Sequence, residues 1–155
     1  MRPSRIQTYM EIAHTWAKRS TCFRLNVGAV IVHNRTIIAH GYNGVPEGAP
    51  HCSGNDCPGK FQCQETIHAE VNAIKRAKRG TFLPYEIDMY CTDSPCQACA
   101  IQIEKFNIRR LFFATPYRIT GPLDYLITGG VEVYRVTPAG YVIEWGTQNV
   151  VEIEV

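Results

Sequence analysis

Apolar residues near the start of the chain recur at helical spacing: Ile6, Tyr9, Met10, Ala13, Trp16 and Ala17 share one face. Ser4 precedes them with Gln7 three residues on, which predicts a capping box. His14 falls off the apolar face and reads as a surface residue. The pattern then changes to β. Residues 27–32 form a β-branched apolar run, His33-Asn34-Arg35 makes a turn, and 36–42 returns as a second strand. From Gly41 to His51, glycine and proline predict loop. Helical spacing resumes with Ala69, Val71, Ala73, Ile74 and Ala77, which predicts a helix from near Ile67, capped by Thr66 and ended by Gly80. A strand at 86–91, a helix from Cys96 to about Phe106, a strand at 110–114, a short helix at 123–128 and a strand at 130–136 follow. The tail alternates at 141–145 and 150–155, as edge strands or a subunit contact. Two strands followed by alternating helix and strand predict an α/β fold, a central mixed sheet with helices on both faces.

Composition sets limits on this picture. The 155 residues suit a single domain over 1–155, with 45% hydrophobic and 19% charged residues, as in a soluble globular protein. A net charge of +2 argues against a large nucleic-acid face, and the one basic run, Lys75, Arg76, Lys78 and Arg79, reads as solvated helix. No apolar run approaches the roughly 20 residues that span a bilayer, so no membrane contact is expected. The basic N-terminus is followed by no apolar stretch of the kind that directs secretion. Seven cysteines in such a chain point to metal or catalysis in a reducing cytoplasm.

The chemistry gathers in two short segments, His68-Ala69-Glu70 and Pro95-Cys96-Gln97-Ala98-Cys99. One imidazole and two thiolates suit zinc and leave its fourth position open, while Glu70 is free to move protons. Cys96 and Cys99, at i and i+3 of a helix start, put both sulfurs on one face where thiol pKa values fall. The bland alternative makes His68 a satisfied core histidine, Glu70 an ordinary first-turn acid, and the cysteines small buried residues. A redox Cys-x-x-Cys leaves His68 and Glu70 without a role. The combined H-x-E and P-C-x-x-C pattern is the signature of zinc nucleobase deaminases, and by it the chain resembles the cytidine deaminase superfamily. That resemblance covers residues 22 to about 134. It implies a three-layer α/β/α sandwich, with Zn2+ held by His68, Cys96 and Cys99 and Glu70 as the catalytic proton carrier.

Within the superfamily, Cys22-Phe23-Arg24 leading into Val27-Gly28-Ala29-Val30, Gly41-Tyr42-Asn43-Gly44-Val45-Pro46 with His51-Cys52, and the residues around His68 resemble the deoxycytidylate (dCMP) deaminases. The resemblance implies hydrolysis of dCMP to dUMP and ammonia by a zinc-activated water, feeding dTMP synthesis. It implies substrate contacts from Asn43 and Ala69, more weakly from Tyr117, and from Arg24 to the 5′-phosphate, for which a guanidinium fork is suited. The glycines and Asn43 serve only the turn, and Arg24 only a surface pair, on the plainer reading. The resemblance also implies a homohexamer in the cytoplasm, activated by dCTP with Mg2+ and inhibited by dTTP, with Gly41, Tyr42, Asn43 and Gly44 as the allosteric nucleotide loop. Relatives with an insertion like that at about 49–64 hold a second, structural Zn2+, so Cys22, Cys52, Cys57 and Cys63 become candidate ligands, with His51 as a substitute; reduced loop thiols are the alternative. Cys91 reads as core. A tRNA adenosine deaminase, a riboflavin-pathway deaminase, and a non-catalytic zinc-stabilised accessory protein are the competing readings.

Overall fold

The computed structural model describes residues 1–52, 66–78 and 86–155. Helix α1 (Arg5–Ala17) opens on the expected capping box: the Gln7 N–H donates to Ser4 Oγ, and the Ser4 N–H to Gln7 Oε1. Strands β1 (Gly28–His33) and β2 (Thr36–Tyr42) form a hairpin turned by Asn34 and Arg35, both at positive φ. Helix α2 (Ala69–Lys78), strand β3 (Ile87–Asp93), helix α3 (Gln97–Lys105), strand β4 (Ile108–Thr115), helix α4 (Gly121–Thr128) and strand β5 (Glu132–Val136) follow in alternation. The tail adds β6 (Val142–Glu144) and β7 (Val150–Val151).

Among the described residues, all the strands join one seven-stranded sheet in the order β2-β1-β3-β4-β5-β6-β7. The sheet is mixed. β3, β4 and β5 run parallel because α3 and α4 carry the chain back between them, whereas β1, β2, β6 and β7 pair antiparallel with their neighbours. The period-2 alternation of the strands sorts the core into two layers. Val30, Val32, Tyr90, Phe112 and Tyr134 point toward α1. Ala29, Ile31, Met89, Cys91, Leu111, Phe113 and Val133 point toward α2, α3 and α4. This is the expected α/β/α sandwich, with Cys91 buried in it as expected. His14 is exposed.

The tail continues the sheet as edge strands. Ile153 and Val155 pack on the α1-side core, and Arg110, paired through two hydrogen bonds of 2.7 and 2.6 Å to the buried Asp88, also donates to the Glu154 carbonyl.

Two expectations need correction. The strand expected over 36–42 is present to its last residue, so the overlapping loop expected from Gly41 is wrong for Gly41 and Tyr42, which end β2, and Gly44 still bridges to Ile67. Loop was expected there because glycine usually interrupts strands. Here the missing side chain is what lets α2 lie on β2: a Cβ on Gly41 would sit 2.3 Å from the Ala69 carbonyl oxygen and 2.5 Å from the Ala73 nitrogen. Helix α2 starts at Ala69, not near Ile67, and the His68 carbonyl accepts the Asn72 N–H, so His68 rather than Thr66 holds the cap position. The bridge to Gly44 keeps Ile67 extended and delays the helix. Gly80, its expected end, lies outside the described residues.

Candidate active site

One end of the sheet gathers the ends of four strands. The start of β1 and the C-terminal ends of β2, β3 and β4 border a cavity of about 290 Å³. Clefts at the carboxyl ends of strands are where α/β sheets bind ligands, because connecting segments diverge there. The Leu25–Val27 approach to β1 is pinned by Asn43, which is buried. Its Nδ2 donates to the Leu25 carbonyl (2.7 Å) and its Oδ1 accepts from the Val27 N–H (2.9 Å).

His68 and Cys96 hold equivalent positions, each capping a helix N-terminus, one at α2 and one at α3. The two helix starts therefore meet, which explains how His68 and Glu70, two apart in sequence, serve one point. His68 Nδ1 lies 3.2 Å from Cys99 Sγ and 3.5 Å from Cys96 Sγ, and the three ligand atoms fall within 4.8 Å of one another. Tetrahedral zinc with bonds of about 2.0 Å to nitrogen and 2.3 Å to sulfur separates such atoms by about 3.6 Å. Donor set and spacing both fit the ion. Helix N-termini add partial positive charge, which favours thiolate and carboxylate. The hydrogen bond from Cys99 pulls the Cys96 thiol down to about 4, and the same bond, with burial, pushes the Cys99 thiol up.

Glu70 is 4% exposed and lines the cavity. Burial pushes its carboxyl up to about 7, against the pull of its own backbone N–H and of His68. A carboxyl there holds or releases a proton near neutrality.

The same cavity is lined by Arg24, Asn43, Ala69 and Tyr117, each expected from the sequence. Arg24 is exposed at its rim and Ala69 fully buried. Gly41 and Tyr42 are not part of the lining: Gly41 is under α2, and Tyr42 lies at the sheet edge with Arg19 and Arg76 guanidiniums 6.0 and 5.8 Å from its ring centroid. Of the candidate second-zinc set, Cys22 lines the cavity and Cys52 is half-buried, while Cys57 and Cys63 lie outside the described residues. Lys75, Arg76 and Lys78 are exposed, as a solvated face requires; Arg79 lies outside the described residues.

Sequence reasoning missed Asp93, Ser94 and Arg118, which also line the cavity. Asp93 accepts the Thr92 hydroxyl (3.0 Å), and Ser94 Oγ accepts the Tyr117 N–H (2.6 Å). A signal was present: two of them adjoin Pro95-Cys96 and the third adjoins Tyr117.

Comparison with known proteins agrees with this geometry. The profile of the cytidine and deoxycytidylate deaminase zinc-binding region matches residues 3–115. Deoxycytidylate deaminase of Schizosaccharomyces pombe is 33% identical over 147 residues, 88% of this chain and 45% of that protein. ComE operon protein 2 of Bacillus subtilis is 38% identical over 113 residues, 72% of this chain and 60% of that protein. The chain thus spans about half the length of these relatives. The crystal structure of dCMP deaminase from the cyanophage S-TIM5 in complex with dCMP and dUMP superposes with a TM-score of 0.79 at 32% identity, covering 87% of this chain and 98% of that one.

Proposed function

Because the chain belongs to the cytidine and deoxycytidylate deaminase family, we propose that it hydrolyses dCMP to dUMP and ammonia, with His68, Cys96 and Cys99 holding Zn2+. The observation that carries this reading is one cavity with the His-Cys-Cys cluster and buried Glu70 together and the Arg24 guanidinium at the rim. That polarity matches a ligand with a reactive base at one end and an anion at the other. Zinc, when bound, lowers the pKa of a coordinated water from about 9 in the aqueous ion toward about 7. Water adds at the amino-bearing ring carbon. Glu70 accepts a water proton and delivers it to the adjacent ring nitrogen, then passes the second to the amine, and the carbon–nitrogen bond breaks with release of ammonia. Burial suits Glu70 to this exchange by holding its two protonation states close in energy. Asn43, with both polar groups already holding backbone, shapes the wall and retains one N–H and one lone pair for substrate. Ala69 and Tyr117 complete the contacts, and Arg24 takes the phosphate.

Regulation by dCTP with Mg2+ and by dTTP, in a homohexamer, completes the proposal. Two guanidiniums, Arg19 and Arg76, close to the Tyr42 ring support it: neighbouring cations suit the phosphates of a nucleotide. A second Zn2+ on Cys22, Cys52, Cys57 and Cys63 belongs to the same proposal, as does a reducing cytoplasm, where thiolates persist.

Ammonia release from dCMP, dCTP, deoxycytidine, guanine and an adenosine-containing RNA tests it. Turnover is expected with dCMP above all, and Glu70→Ala should keep its zinc and lose nearly all turnover. Preference for guanine or RNA, or wild-type activity in Glu70→Ala, would overturn the assignment.

A further inference from the structure

A second carboxyl group besides Glu70 lines the cavity. Asp93 ends β3 three residues before Cys96 and is half-buried. We propose that Asp93 is a further catalytic residue, accepting a hydrogen bond from the exocyclic amine of the substrate and steadying that amine as it departs; this rests on the reading of dCMP as substrate.

The Asp93 carboxylate is aimed rather than free to turn. The Gly28 N–H donates to Thr92 Oγ1 at 3.1 Å, so the Thr92 hydroxyl turns its own hydrogen to Asp93 Oδ2, at 3.0 Å. Thr92 is buried, and Gly28 is locked beneath α1, where a Cβ would meet the Ala13 carbonyl oxygen at 1.9 Å. One carboxylate oxygen is thereby pinned, and among the described residues no hydrogen bond reaches the other, Oδ1. Withdrawing a carboxylate from water with so few donors is costly, and a donor on a ligand offsets that cost. Asp93 belongs to the inner end of the cavity. It leads through Ser94 to Cys96, which line the cavity with Glu70, while Arg24 stands exposed at the rim. With the phosphate at Arg24, the base is the part of the substrate that reaches Asp93. An ionised carboxylate only accepts hydrogen bonds. Cytosine in a nucleotide presents acceptors at its ring nitrogen and carbonyl and N–H donors at its exocyclic amine alone, so the amine is the group that fits.

The reaction balances with no proton moving to or from Asp93. Water adds its oxygen to the amino-bearing carbon, and through Glu70 one of its protons reaches the ring nitrogen and the other the amine. The amine then carries three hydrogens and a positive charge. Its bond to carbon breaks with the electron pair leaving on nitrogen, the added oxygen closes to a carbonyl, and ammonia departs. A carboxylate beside the nitrogen interacts more strongly at that cationic stage than with the neutral amine of the substrate, and such a difference accelerates the step.

The test compares zinc-loaded wild type, Asp93→Asn and Asp93→Ala by the single-turnover rate of ammonia release from dCMP, the pH profile of that rate and the dissociation constant for dUMP. Zinc content and melting temperature are checked in each. Asp93→Asn keeps the shape of the side chain and carries the test if Asp93→Ala fails to fold. The product dUMP has no amine, so it separates contact with the departing group from a loosened cavity. Both variants should release ammonia at least tenfold more slowly, bind dUMP no more weakly than wild type and keep its pH profile. A smaller fall in rate in both, a matching loss of dUMP affinity, or a pH profile displaced through Glu70 would overturn the role of Asp93 while leaving the dCMP reading intact. A wild-type protein that neither binds dUMP nor releases ammonia from dCMP would overturn both.

Discussion

At the scale of single residues, local spacing made the reactive groups legible and distance in sequence hid the rest. His68, Glu70, Cys96 and Cys99 sit in two fragments of a few residues, so their chemistry shows without a fold. Arg118 comes to the same cavity as Asp93 and Ser94 only when β3 and β4 align in parallel. His40 is another residue whose state depends on the fold. It stacks on Trp16, with ring centroids 3.6 Å apart at 6°, while Arg76 donates to its carbonyl. Burial first, and the Arg76 charge second, hold its pKa below the ordinary value of 6.5. The fold therefore favours neutral His40. Its contribution to stability is complete above about pH 6.5 and is lost as pH falls through that value toward the lowered folded one. His40→Phe keeps a stacking ring and removes the titration, so its melting temperature should fall less than wild type between pH 8 and pH 5.5. Parallel falls would show that His40 charging does not strain the fold.

At the scale of elements, periodicity found each helix and strand, and its errors lie at boundaries set by tertiary contact. β2 runs on through Gly41 because a helix presses on it, and α2 starts late because Ile67 is still bridged to Gly44. Strand order was not legible, since alternation marks which face is buried but not which neighbour pairs. The contact between β2 and α2 carries a consequence for activity. Gly41 sits under the first turn of the helix that begins beside His68 and holds Glu70, and Asn72 Nδ2 donates to the Tyr42 carbonyl just beyond it. A methyl on Gly41 would meet backbone atoms, which yield only by moving the helix. Gly41→Ala should cost about 1–3 kcal/mol of stability and reduce kcat for dCMP along with it, because the ligand and the proton carrier shift together. Denaturant unfolding and steady-state turnover check this; wild-type kcat in a folded Gly41→Ala protein would show that α2 accommodates the methyl without disturbing the site.

At the scale of the whole molecule, the order of alternating elements predicted the sandwich, and the sandwich explains where the site lies. The metal content of the cysteine-rich region was only partly legible, because closure of a ligand set depends on geometry rather than on count. Freshly purified protein should contain about two zinc ions per chain, and Cys57→Ser should lower that by about one, with the melting temperature falling before activity. About one zinc in wild type, with Cys22, Cys52, Cys57 and Cys63 all alkylated without metal loss, would exclude the structural ion. The two ends of the sheet differ in kind. The cavity takes the start of β1 and the ends of β2, β3 and β4, whereas the opposite end holds the Asn34–Arg35 turn and the entries to β3 and β4. Asn34, Arg35, Glu86 and Asn107, all at positive φ, stand at that opposite end. The 34–35 reversal and the chemistry are thus kept a strand's length apart. A protein engineer gains a handle from this separation: a fluorophore or an affinity tag joined at the 34–35 turn reports on the protein from outside its cavity.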